Sequence, residues 1–190
     1  SEYTVCFAIK FSELGAARED RVPSLGRIAQ NDEHEPCRLQ AILALLQSRD
    51  PEAHEPLLNA LADPSSRVRE SAAYALAADC WARREVVPRM IQRLGTESDS
   101  IVTAAILSTL ATLGGDESFA ALRKFLTTDP RAEVRAAAAY GLQHDSTAAA
   151  ALRDALTQEK DEAVRLAIGE SLKALGIAFL VPPCMNKEYR

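Results

Sequence analysis

No apolar run in this chain approaches the roughly 18 residues that a membrane-crossing helix needs; the longest candidate, Gly176 to Pro183, is short and ends in a proline pair. The stretch from Ser1 also lacks the basic and then apolar pattern of a signal peptide, so the expectation is a soluble protein. Positive charge is in deficit. Against 27 Asp and Glu there are 22 Lys and Arg, leaving a net charge of -5 and a pI near 5.3. Broad binding to nucleic acid or an anionic membrane is disfavoured, because either needs a cationic footprint, and a neutral or basic partner fits better. Cysteines are few and scattered: Cys6, Cys37, Cys80 and Cys184 form no CxxC pair, which weighs against a zinc knuckle or redox motif. They read as reduced, mostly buried thiols, and that usage points to a cytoplasmic setting.

Catalytic signatures are missing as well. The serines lack a GxSxG elbow, no cysteine has a histidine beside it, and Gly114-Gly115 reads as a helix terminator and not a phosphate loop. What remains is ample apolar content, 47%, with 26% charged residues, enough for a continuous core.

The chain is organised by a recurring segment: an acid, four residues, Val-Arg, then alanines and a leucine. It is clearest in Asp63 to Arg69 and in Asp129 to Arg135. With the valine as anchor, the equivalent positions are Cys6, Cys37, Val68, Val102, Val134 and Val164, at intervals of 30 to 34 residues. Eight residues after each stands a leucine: Leu14, Leu45, Leu76, Leu110, Leu142 and Leu172. Four residues after the last five anchors stand Ala41, Ala72, Ile106, Ala138 and Ile168. Anchor, fourth and eighth residues share one face of a helix of 3.6-residue pitch, so an amphipathic helix is repeated along the chain. An acid precedes each of the last five anchors by five residues, at Asp32, Asp63, Glu97, Asp129 and Glu159. These acids are expected to mark helix starts, with Pro64 and Pro130 as first helical residues that lose no needed donor.

A second, leucine-rich helix lies between successive anchored ones, as in Glu55 to Leu61 and Arg89 to Leu94. Each period is therefore a helical hairpin. One hairpin cannot enclose its own apolar faces, so neighbours must stack, which is the physical reason for a solenoid.

These residues resemble the short HEAT-like repeat of about 30 residues found in phycobilisome lyases and many bacterial scaffold proteins. The resemblance implies an all-α fold, a right-handed α-α superhelix of about five hairpins behind an N-terminal cap helix. It also implies that the Val-Arg helix lines a concave face and the leucine-rich helix lies outside. The expected organisation is one domain over 1–190, with a cap at 1–18, repeats at 19–48, 49–79, 80–114, 115–145 and 146–176, and a terminal cap or tail at 177–190. Ankyrin and tetratricopeptide repeats have similar periods, but their signatures are missing.

Arginine follows the anchor at Arg38, Arg69, Arg135 and Arg165, with Thr103 as the exception. Because Asp32, Asp63 and Asp129 recur with the same period, these arginines are read as a ladder that fixes stacking, in preference to a cationic row for an acidic ligand. His34-Glu35 and His54-Glu55 invite comparison with deoxyhypusine hydroxylase, whose His-Glu pairs hold two irons directly after the Val-Arg dipeptide. Here those slots hold other residues, and His54 and Glu55 begin an outer helix, so the expectation is no metal site and no cofactor. His144 is read as a cation favoured at a solvated helix end. Trp81, in the turn Cys80 to Arg84, reads as a plug between repeats, and Arg83, Arg84, Arg89, Arg93, Arg123 and Lys124 as a solvated basic face.

Helical spacing turns positions two, three, six and ten after each anchor toward the concave side. They include Gln40, Glu70, Tyr74, Ser108, Tyr140, His144 and Glu170. Tyr74 and Tyr140 share one slot, and a tyrosine offers a rigid surface with a polar tip. The leading expectation is a scaffold or adaptor gripping a segment of another protein, with no catalytic residue. A lyase-type enzyme holding a tetrapyrrole is the alternative that the resemblance implies. A third possibility, resembling the HEAT-like alkylpurine DNA glycosylases, is disfavoured by the acidic balance.

Overall fold

A computed structural model describes residues 21–78 and 83–177. The expected cap helix at 1–18, Trp81 and the tail from residue 178 lie outside the described residues. Among the described residues there is no strand. The elements are α1 (Arg21–Asn31), α2 (Glu35–Ser48), α3 (His54–Ala60), α4 (Ser66–Leu76), α5 (Arg83–Leu94), α6 (Ser100–Leu113), α7 (Asp116–Thr128), α8 (Ala132–Gly141), α9 (Ala149–Gln158) and α10 (Glu162–Ile177). Short 3-10 turns at Pro51–Ala53 and Leu142–His144 lead into α3 and follow α8.

The chain divides into two compact units, Ser1–Val86 and Val87–Arg190. In the first, α1 pairs with α2 and α3 with α4, while α2 packs on α4 and α1 on α3. Two layers result. The anchored layer buries Cys37, Ala41 and Leu45 on α2, and Val68, Ala72 and Leu76 on α4; the other layer contributes Leu25, Ala29, Leu57 and Leu58. In the second unit, α8 packs between α6 and α10, and α7 and α9 cover that layer from one side. Val102, Ile106 and Leu110, then Val134, Ala138 and Leu142, are all fully buried, as are Val164 and Ile168. The spacing of four that defines these stripes is what puts them on one side of each helix. Helix α5 runs across the unit boundary and carries Pro88, which has no amide proton to give the carbonyl of Arg84.

Three local features differ from the sequence reading. Each anchored helix begins two residues before its anchor, so the acid five residues ahead precedes the helix and does not sit in its first turn. Its side chain instead accepts the amide of the residue two further on: Asp32 from His34 at 3.0 Å, Asp63 from Ser65 at 2.8 Å, Asp129 from Arg131 at 2.9 Å. The acid thus closes the turn into the helix. Pro64 and Pro130 lie ahead of the capping residues Ser65 and Arg131, and are not the first helical residues. Cys37 is bonded in a disulfide, which overturns the reading of a reduced thiol there and with it the cysteine argument for a cytoplasmic setting. No helix among the described residues is long and apolar enough to cross a membrane.

Candidate functional site

Arg38 and Arg135, each one residue after its anchor, reach the acid of the following hairpin. In the first unit Arg38 Nε and Nη2 donate to Asp63 Oδ2 and Oδ1 at 2.7 and 2.9 Å, while Nη1 donates to the carbonyl of Asp32 at 2.9 Å. In the second, Arg135 Nε and Nη2 donate to Glu159 Oε2 and Oε1 at 2.7 and 3.0 Å, and Nη1 donates to the carbonyl of Asp129 at 3.1 Å. One guanidinium therefore ties its own turn to the acid of the following hairpin, with a planar fork matched to a carboxylate. Arg69 and Arg165 also hold the carbonyls of the turns before their helices. Thr103, where an arginine would stand, is fully buried and donates to the carbonyl of Asp99 at 2.7 Å. Asp129 is instead gripped by Arg131, two residues on, through Nε and Nη2 at 2.9 and 2.8 Å.

These bonds set the charge states. The hydrogen bond from Arg131 holds the Asp129 carboxyl below its ordinary range, and that from Arg135 holds Glu159 down at about 2 against an ordinary 4.5. A carboxylate depressed in the folded state stabilises the fold above its ordinary pKa, and that contribution is lost as pH falls through the folded value. The thermal midpoint of Glu159→Gln should therefore lie below that of the unmodified chain at neutral pH. The gap should close between pH 4.5 and about 2. A gap that stays constant across that interval would show that charge on Glu159 contributes nothing.

With one edge of each anchored helix committed to stacking, another is left to solvent. Five large hydrophobic side chains are exposed among the described residues: Leu43 (44%), Tyr74 (49%), Ile101 (61%), Tyr140 (43%) and Leu166 (62%). All five lie on anchored helices and none on the covering layer. Leu43, Tyr74 and Tyr140 stand six residues after their anchors, Leu166 two after, and Ile101 one before; at 100° per residue these positions fall in one sector. Leu43 and Tyr74 belong to the first unit, where Gln40 and Glu70 are half-buried beside them in sequence register. In the second unit α6, α8 and α10 are neighbours and bring Ser108, Tyr140 and Glu170 onto one face. There the Tyr140 hydroxyl donates to Glu170 at 3.1 Å, which holds the phenol above its ordinary pKa.

His144 does not behave as the solvated cation expected. It sits half-buried in the 3-10 turn after α8, and desolvation lowers its pKa, disfavouring the charged imidazole there. Position three is also less open than expected, since Ala105 and Ala167 are fully buried there. Leu43, Ile101 and Leu166 were not among the residues singled out in the sequence. Leu43 and Leu166 stand at positions six and two of the same register that selected Tyr74 and Glu70; Ile101 needed the observed exposure.

The histidines are placed differently from the sequence expectation in one respect. His54, Glu55 and Glu85 do converge, with ligand-type atoms within 4.8 Å of one another. His54 Nδ1 bonds the Pro51 carbonyl and Nε2 lies 3.0 Å from Glu85 Oε2. A carbonyl only accepts, so Nδ1 is the donor in the first of these contacts. In the second cluster, Asp32, His34 and Cys37, the sulfur is already in a disulfide and is no thiolate ligand. A groove of 720 Å³ in the second unit, floored by Leu126 and Ala155 and rimmed by Lys124, Asp154, Glu159 and Lys160, is of mixed charge.

The family model for HEAT repeats matches residues 4–77, 22–111 and 55–143, which together make up well over half of the sequence. The chain belongs to the HEAT-repeat family. No curated protein sequence matches it. Among solved structures, these HEAT repeats are similar to a crystal structure of an engineered protein, 21% identical, with a TM-score of 0.54 and 85% of each chain covered. A designed armadillo repeat protein is 18% identical, with a TM-score of 0.50 and coverage of 91% of this chain and 92% of that one. At such identities the likeness concerns the fold, and the shared fold is a solenoid of helical repeats.

Proposed function

We propose that this HEAT-repeat chain is a protein-binding scaffold and not an enzyme, and that the exposed sector of its anchored helices takes the partner. One observation carries the reading: every large apolar side chain exposed among the described residues lies in that sector. Scattered exposed apolar residues are ordinary, whereas their confinement to one helical register is what a recognition surface produces. In the second unit the pattern is continuous. Ile101, Tyr140 and Leu166 come from three neighbouring helices about 10 Å apart, a spacing that suits successive side chains of an extended or helical segment. The hydrogen bond to Glu170 pins the Tyr140 ring, so little side-chain freedom remains to be lost on binding. Ser108 and Glu170 supply the polar rim, and the partner is a segment of another protein with apolar anchors.

The test is affinity capture with mass spectrometry, followed by affinity measurement on the captured partner. Tyr140→Ala combined with Leu166→Ala should weaken binding by about 2 kcal/mol or more, roughly thirtyfold, while leaving the fold intact, since both side chains are exposed. A folded double variant that captures the same partner with unchanged affinity would remove this face from consideration.

A further inference from the structure

Helix α7 packs on α8 and helix α9 on α10, and between these two covering helices runs the groove of 720 Å³. Its walls follow from helical spacing. Ala151, Asp154, Ala155 and Gln158 recur at intervals of three, one and three residues, which is one face of α9; Arg123, Lys124 and Thr127 form the facing stripe of α7. The two alanines keep the α9 wall low and leave Leu126 and Ala155 as an apolar floor.

The charges that line the groove divide into those already paired and those that are not. Arg135 holds Glu159, Arg131 holds Asp129, and Arg123 holds Asp145 and Thr147. Lys124, Lys160 and Asp154 are exposed, and among the described residues none of the three has an ion-pair partner. Lys124 and Asp154 stand on opposite walls, with the groove between them. Two ammonium groups against one carboxylate make the unpaired charge positive here, in a chain whose net charge is -5. A carboxylate-bearing segment is therefore attracted to this groove against the field of the chain as a whole.

We propose that the groove binds an acidic segment of another protein, whose carboxylates pair with Lys124 and Lys160 while a small apolar side chain rests on Leu126 and Ala155. The occupant is polypeptide and not nucleic acid. A phosphate backbone carries charge at every step and would run against Asp154 on the rim, whereas a peptide places its acids only where the lysines stand. An inorganic anion would leave the apolar floor in water. The site belongs to the covering layer, so it is separate from the exposed sector of the anchored helices and does not depend on that reading.

A capped peptide of alternating glutamate and alanine, titrated into the full 15N-labelled chain at low ionic strength, tests this. The amides of Lys124, Thr127, Asp154 and Lys160 should shift together, and those of Ser108 and Tyr140 should stay. Lys124→Glu combined with Lys160→Glu should weaken binding about tenfold or more, and Asp154→Asn should strengthen it about threefold. All three side chains are exposed and unpaired, so the fold is kept, and the opposite signs separate a binding effect from unfolding. Unchanged affinity of the double variant, or shifts spread over all exposed lysines and arginines, would overturn the proposal. Equal binding of the glutamine counterpart would also overturn it, since charge then contributes nothing. Inorganic phosphate that moves the same amides at the same concentration would do so by making the floor irrelevant, and a short DNA duplex that displaces the peptide would do so by making nucleic acid the ligand.

Discussion

Arg38→Ala should lower the stability of the unit Ser1–Val86 by about 3 kcal/mol, measured by equilibrium denaturant unfolding. The reason lies in what the substitution leaves behind. Arg38 is 8% exposed and Asp63 is 8% exposed, and both edges of the guanidinium are in use, one on the carboxylate and one on the turn carbonyls. Removing the arginine strands a buried carboxylate that still accepts from the amide of Ser65 but has lost its cation. An uncompensated buried charge costs far more than an intact pair contributes, so Asp63→Asn alone should also destabilise. Arg38→Met with Asp63→Leu should cost much less than the sum of the single changes. A loss below about 1 kcal/mol for Arg38→Ala would mean that the pair behaves as a solvated surface contact and does not fix the stacking.

Gly141→Ala and Gly169→Ala should move stability in opposite directions. Both glycines lie in helices, and in a helix interior alanine is favoured over glycine by about 1 kcal/mol. Propensity alone therefore predicts two gains. A Cβ on Gly141, however, would lie 2.2 Å from Leu122 Cδ2 and 3.0 Å from Ala111 Cβ. Leu122 is fully buried and has no free volume to enter, so helices α7 and α8 must separate or Leu122 must leave its rotamer. The net expectation is a loss of about 1–2 kcal/mol for Gly141→Ala. Gly169→Ala, whose Cβ meets nothing, should gain about 0.5–1 kcal/mol. Thermal midpoints of the two variants decide it: shifts of the same sign would show that the close approach at Gly141 relaxes without cost.

Much of the fold was legible because a repeat writes the same physical constraint several times. A single stripe such as Val134, Ala138 and Leu142 fits many helical folds, but the same spacing at five anchors leaves stacked hairpins as the arrangement that buries them all. Local chemistry was less legible. The acids at Asp63 and Asp129 were correctly seen as periodic, yet their work is to close a turn and receive a guanidinium, and the displacement of the helix start by three residues cannot be read from composition. The substitution of Arg131 for the arginine absent at position 103 likewise depends on the fold, since a residue two places from its acid reaches it only because of the turn between them.

Periodicity by itself determined the helices, their pairing and the identity of the buried stripe, because burial of a repeated apolar face has few solutions. The tertiary structure alone decided which outward side chains stay exposed, and that His144 is shielded while Leu166 is not. Those outcomes depend on what the neighbouring helix covers, and a helical register specifies only a direction from its own axis.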